Sequence, residues 1–264
     1  MPSSIEFDSV YDFAGLRVHC NAERRARNGA TDGADVLNVL NNVDRGPDWT
    51  DANTPTWHDN QLNGEPIFRF GSNEGFTEAL GDGNRQEELH PLVDDWIQWM
   101  YEGPILVMTV MRQTGDFSVQ RNWFGFGASL GSGWNLQTNT STQFVAEWSD
   151  GSSDYTQVLT PTPVQNDWYI CMWSWDGETD SQFRIGLNSF YEDADLVDLS
   201  SQNFLAEGAG GYPYGPWQFG QAWANNIDAG ECAMWAFWRG IEANEKAWDG
   251  LLRYAGTKYD ISLS

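Results

Sequence analysis

The clearest patterning of apolar and polar positions lies at the C-terminal end, over residues 231–264. From Glu231 to Trp238, Cys232, Met234, Ala236 and Trp238 alternate with Ala233, Trp235 and Phe237, so both faces are apolar. That predicts a strand in the middle of a sheet, covered on each side. After Arg239 and Gly240 the period changes, and Ile241, Glu245, Trp248, Leu251, Leu252 and Ala255 recur at helical spacing. This predicts a short helix lying on the sheet, with Gly256 where a C-terminal cap would sit, and a tail from Tyr254 to Ile261 that returns to extended structure. Strand-like runs also occupy 105–111, 123–128, 143–148 and 167–175, separated by clusters of Gly, Ser, Asp and Pro. This spacing belongs to a sandwich rather than to alternating βα units. Leu92, Trp96, Trp99 and Met100 repeat at helical spacing behind Pro91, which predicts an inserted helix around 91–101 against one sheet edge. Residues 24–60, rich in Asn, Asp and Gly, read as a long surface connection.

Several of these segments carry a family resemblance. The closing strand at Glu231, the helix with Glu245, and the tail positions Tyr254, Lys258, Tyr259 and Ile261 resemble the end of laminin G-like domains of the concanavalin A-like lectin/glucanase superfamily. Gly15 to Glu23 is similar to the family's opening strand, Leu62 to Phe70 to its Asn-Gly-x-Pro element, and Asn166 to Gly177 with Phe183 to Asn188 to its central strand pair. The segments occur in family order over nearly the whole chain. The resemblance implies a two-sheet antiparallel jelly-roll sandwich, all-β apart from the helices above, forming one domain over 1–264.

Composition is consistent with that architecture. In 264 residues there are 15 Trp, 14 Phe, 9 Tyr and 27 Gly, enough aromatic volume to fill the space between two sheets joined by glycine-bearing turns. Charge narrows the function classes. Thirty-eight acidic residues against 14 basic ones give a formal net charge of −24, which disfavours a phosphate backbone as partner, so no nucleic-acid binding is expected. The acidic excess reads as a solvated surface. No run of 18 apolar residues occurs, so no membrane insertion is expected. Cys20, Cys171 and Cys232 sit inside strand-like runs and are expected to be buried free thiols.

Catalytic chemistry finds no motif. A retaining glycosidase needs two carboxyl groups about 5–5.5 Å apart, and the laminarinase-type relatives supply them from a Glu-x-Asp-x-(x)-Glu strand, a pattern that does not occur here. The acidic clusters 176–180 and 192–198 read as solvated turns. His19, His58 and His90 lack ligand spacing, and His19 within a strand reads as a structural residue. The chain is therefore expected to be non-enzymatic, with a laminarinase-like glycoside hydrolase as the alternative to disprove. Asp32 to Asp35, Asn225 to Asp228 and Glu192 to Asp198 offer oxygen atoms but not the ordered spacing of a calcium loop. No cofactor or metal is expected, and calcium has no motif behind it.

One segment fits carbohydrate recognition. Between Gly208 and Trp217 three large aromatics, Tyr212, Tyr214 and Trp217, stand among glycines and prolines, where sugar rings could stack on exposed faces. The competing interpretation is a long hairpin connection with Trp217 tucked into the sandwich edge. The start Met1-Pro2-Ser3-Ser4-Ile5-Glu6 has no basic region or apolar run, so synthesis in the cytoplasm without a signal peptide is expected. These features lead to the expectation of a virion surface protein: a capsid decoration, head fibre or tail-associated adhesion subunit of a tailed phage. Its partners would be capsid or tail proteins, cell-surface glycans and, in a homo-oligomer, further copies of the chain. A stand-alone carbohydrate-binding lectin-like module is the alternative.

Overall fold

The structure is a computed structural model. It describes residues 9–10, 14–23, 31–39, 42, 49–52, 54–71, 74–78, 104–115, 121–128, 132–139, 141, 143–150, 154–159, 162, 164–175, 182–198, 217–219, 221–222, 225–226, 230–239 and 245–264. Two antiparallel sheets face each other. The larger runs β15 (Asp195–Asp198), β14 (Gln182–Leu187), β13 (Tyr169–Trp175), β8 (Ile105–Gln113), β19 (Gly230–Arg239), β6 (Glu65–Phe70), β5 (Thr56–Leu62) and β2 (Ala34–Asp35), with β1 (Leu16–Asn21) paired to the second half of β19. The smaller runs β12 (Asp154–Val158), β11 (Phe144–Asp150), β10 (Ser132–Thr138), β9 (Arg121–Ala128), β16 (Trp217–Phe219), β7 (Gly75–Glu78), β4 (Trp49–Ala52) and β3 (Asn38–Val39). A two-stranded ribbon joins β17 (Gln221–Ala222) to β18 (Asn225–Asn226). The expected all-β jelly-roll sandwich is the architecture observed, with one described α-helix, α1 (Glu245–Tyr259), at the C-terminal end. The helix expected around 91–101 lies outside the described residues.

β19 is central, as its two apolar faces require. Trp235 and Phe237 point between the sheets with Phe68, Phe70, Trp123 and Phe144, whereas Met234, Ala236 and Trp238 lie under the helix. Its alternation is not the simple one read from the sequence. A register shift between Cys232 and Met234 puts Cys232 on the inner face with Trp235, and places Ala233 and Met234 together on the outer one. An extra residue in one strand reverses the facing of the residues beyond it. Gln113 ties the layers together: its buried Oε1 accepts from Trp123 Nε1 and Thr138 Oγ1, each at 2.9 Å. Cys20, Cys171 and Cys232 are buried thiols, and burial pushes Cys171 up to about 12 and Cys232 higher still.

Three sequence expectations need correction. Residues 24–60 are not simply a connection, because β2, β3, β4 and the start of β5 lie among them. β5 is joined to β6 by Asn63 and Gly64, both at positive φ (49° and 84°), so the two-residue turn twists with its strands. The acidic run 192–198 is not one solvated turn: Glu192 and Asp193 belong to a 3-10 turn, but Asp195–Asp198 is the edge strand β15. Gly256, finally, is not the helix cap. The helix continues to Tyr259, through the part of the tail from Tyr254 expected to be extended, Asp260 takes the left-handed conformation (φ 54°), and Ile261 N–H closes on Gly256 C=O at 2.9 Å. That six-to-one bond satisfies a terminal carbonyl. Gly256 is needed for a different reason, since a Cβ there would lie 3.0 Å from Leu263 Cδ2, where the tail folds back over the helix.

The helix covers one part of the larger sheet's outer face. Trp248, Leu251, Leu252, Ala255 and Tyr259 are buried against Ile67, Met108, Ile170 and Trp238. Gly186 of β14 makes room for the indole of Trp248: a Cβ there would meet its Cζ2 at 2.9 Å. Trp248 Nε1 donates to Ser189 C=O at 2.9 Å, and Tyr191 N–H donates to Asp249 Oδ1 at 3.0 Å. The tail then fastens to the β14 end, with Ser264 N–H donating to Asn188 C=O at 2.8 Å.

The positions behind the family resemblance have structural work here. Lys258 forms an ion pair with Glu23 and lies 3.8 Å from Glu65, and its carbonyl accepts from Asn63 Nδ2 at 2.9 Å, so the helix end is pinned to the β5–β6 turn. Burial pulls the Lys258 ammonium down, but its bond to Glu23, with Tyr254 and Glu65 nearby, outweighs this and holds its pKa raised. Tyr259 is fully enclosed, and burial lifts its phenol well above the usual range. His19, buried beside this cluster, is pushed down to about 4, chiefly by burial, with Glu23 opposing and Lys258 reinforcing the shift.

Candidate functional site

Beyond the helix, the outer face of the larger sheet changes character. Strand alternation puts Arg69 on the same side as Ile67, and Arg112 on the same side as Val110, both apolar partners being under the helix. Register then sets Arg69 and Arg112 directly on either side of Glu231. Glu231 is only 2% exposed, whereas Arg69 is 42% and Arg112 23% exposed. Arg69 Nε donates to Glu231 Oε1 at 2.7 Å, and Arg112 brings Nε and Nη2 to Oε2, both at 2.5 Å. Each carboxylate oxygen is therefore held by one guanidinium, the arrangement that lets a charge be buried at all.

The row continues on both sides. Arg112 Nη1 donates to Asn166 C=O at 3.2 Å, and its guanidinium carbon stands 4.9 Å from the centre of the Trp168 ring, a cation–π contact. Asn166 is exposed and at positive φ (70°), which turns the chain into β13. On the other flank Thr56 pairs with Arg69 across β5 and β6, and its Oγ1 lies 3.0 Å from His58 Nε2. His58 Nδ1 lies 3.3 Å from Asp32 Oδ1, which also accepts Asp59 N–H at 3.0 Å. The result is a polar strip, in the order Asp32, His58, Thr56, Arg69, Glu231, Arg112 and Trp168. With neighbouring strands about 4.8 Å apart, the part from Arg69 to Trp168 extends roughly 14 Å.

Chemically the strip offers guanidinium, hydroxyl and imidazole groups on a rigid sheet, which suits polar recognition. Its one deeply buried acid, Glu231, is engaged by two arginines. Among the described residues, no group of three or more His, Cys, Asp or Glu side chains converges to hold a metal ion. No described helix is long and apolar enough to cross a membrane.

Of the aromatic trio singled out in the sequence, Tyr212 and Tyr214 lie outside the described residues. Trp217 opens β16, an interior strand of the smaller sheet, with its Cα opposite Phe126 of β9. The strip itself was not anticipated as a site. Glu231 was noted only for its place in the closing strand, and the residues around it are spread from 32 to 231, so only strand register unites them.

No family model and no curated protein matches the sequence. Solved structures do. Trypanosoma rangeli sialidase in complex with sialic acid superposes with a TM-score of 0.58 at 10% identity, covering 91% of this chain and 33% of that one. The fold they share is an antiparallel β-sandwich. The binding domain of botulinum neurotoxin DC in complex with SialylT gives 0.57 at 12% identity, over 91% of this chain and 51% of that one. A structure of botulinum neurotoxin type C, whose cell entry depends on interaction with two ganglioside molecules, gives 0.53 at 12% identity over 83% and 51%. The chain thus spans a third to a half of the proteins it superposes on, and at these identities the likeness is one of fold.

Proposed function

We propose that this chain is a non-enzymatic, glycan-recognising sandwich module, a divergent relative of the concanavalin A-like superfamily. The observation that carries the reading is the polar strip: an ordered set of donors and acceptors, covered by no described element, on a sheet whose outer face is elsewhere partly closed by a helix. A second support is the company of the fold, since the proteins it superposes on are described with sialic acid, SialylT and gangliosides. The segment carrying Tyr212, Tyr214 and Trp217 is a second proposed contact, where sugar rings would stack.

For its setting we propose the surface of a virion, attached to capsid or tail proteins, where many copies make a weak single site effective. Immunogold labelling of purified particles tests that setting, and label confined to the cell lysate would remove it. Recognition itself is tested by a glycan array together with a hydrolysis assay on the same oligosaccharides. Binding without cleavage is expected. Cleavage abolished by replacing a pair of acidic residues would establish a hydrolase instead, and an array without a hit would end the glycan reading.

A further inference from the structure

The arginines of the strip are not equivalent. Arg112 is spent: Nε and Nη2 serve Glu231, Nη1 serves the Asn166 carbonyl, and Trp168 lies against the guanidinium. Arg69 gives Glu231 only its Nε, and its Nη1 and Nη2 donate to no described residue on a side chain that is 42% exposed. Its orientation is nevertheless fixed, because the buried carboxylate holds Nε from below and register holds the backbone. A guanidinium so held presents a planar pair of N–H donors, the shape that accepts a carboxylate with two parallel bonds.

Charge points the same way. Arg69 and Arg112 share one acid, leaving one positive charge at the centre of the row in a chain whose overall charge is −24. At one margin Asp32 Oδ1 lies 3.3 Å from His58 Nδ1 and accepts the Asp59 amide, while Asp35, Asp59 and Asp167 stand beside the row. Beyond a Debye length of about 8 Å at physiological salt, the acidic surface is largely screened from the centre. Thr56 and His58 on one flank and the exposed Asn166 on the other supply groups that could take sugar hydroxyls.

We infer that the Arg69 fork is a subsite for a carboxylate-bearing sugar, a sialic or uronic acid residue, within the glycan surface proposed above and resting on that proposal. The test is calorimetry with sialyllactose and a hyaluronan oligosaccharide against lactose and carboxyl-reduced forms of the two acids. It is run on the wild-type protein, Arg69→Gln, Arg69→Lys and, as a control, Arg253→Gln on the exposed side of the helix. Acidic sugars are expected to bind at least about tenfold more tightly than their reduced forms, as one charge-assisted bidentate contact allows. Arg69→Gln should erase that preference, and Arg69→Lys, which keeps the charge but not the fork, should erase most of it. Arg253→Gln should leave it intact. Equal binding of acidic and neutral sugars, or a preference that survives both Arg69 variants, overturns the inference while leaving glycan recognition standing. Absence of binding to every sugar overturns both.

Discussion

The two parts of the larger sheet's outer face are built from the same strands and finished in opposite ways. Under the helix, Ile67, Val110 and Met234 meet Trp248, Leu251 and Tyr259 in a closed apolar layer. Two residues further along the same strands, Arg69 and Arg112 surround Glu231, and no described element covers them. Period-two alternation in β6 and β8, together with the bulge in β19, keeps both sets on one face, so the change from packing to polar display occurs along the strand. Stability is therefore concentrated at one end of the face and ligand-competent chemistry at the other.

Substitutions can break that division, and their expected costs differ. Trp248→Ala removes an indole that fills the groove over Gly186, and should destabilise by about 3–5 kcal/mol in urea unfolding. Glu231→Ala strands two guanidiniums, one of them three-quarters buried, and should cost about 3 kcal/mol by the same measurement. A cost below about 1 kcal/mol for either would show that the residue is not the anchor its geometry suggests.

His19 links stability to pH. Its folded pKa of about 4 lies below the ordinary 6.5, so between those values the unfolded chain binds more protons and stability falls as pH falls. The loss should approach about 3 kcal/mol at the acid end, and a His19→Gln variant should show a flatter profile through that window. Arg69→Ala takes the donor from Oε1 of the buried Glu231 while Arg112 still balances its charge, and should cost about 1–3 kcal/mol in urea unfolding. The smallest effect carries the opposite sign. Asp260 holds a left-handed conformation with an acid at a helix C-terminus, so Asp260→Gly should stabilise by about 0.5–1 kcal/mol in thermal unfolding.

The architecture was largely legible in the chain. β19 announced itself by having two apolar faces, α1 by its 3.6-residue period, and the sandwich by the spacing of aromatic runs. The features that escaped did so for physical reasons. β5, with His58, Asp59, Asn60 and Gln61 in sequence, has too few apolar positions to look like a strand and owes its place to pairing with β6. Gly256 looked like a cap because glycine usually supplies the left-handed turn, but here Asp260 supplies it and glycine relieves crowding by Leu263. The bulge at Cys232 cannot be read from an apolar run, because apolar residues flank it on both faces. The polar strip was hidden most completely, since Thr56, Arg69, Arg112 and Glu231 become neighbours only through the order of four adjacent strands.

The most direct measurement is a residue-resolved NMR titration of the isotope-labelled protein with an acidic oligosaccharide. Progressive shifts at Thr56, His58, Arg69, Asn166, Trp168 and Glu231, with 245–259 unmoved, are the result expected if the uncovered end of the sheet is the recognition surface. Shifts along the helix with this row silent, or no shifts at saturating sugar, would contradict it.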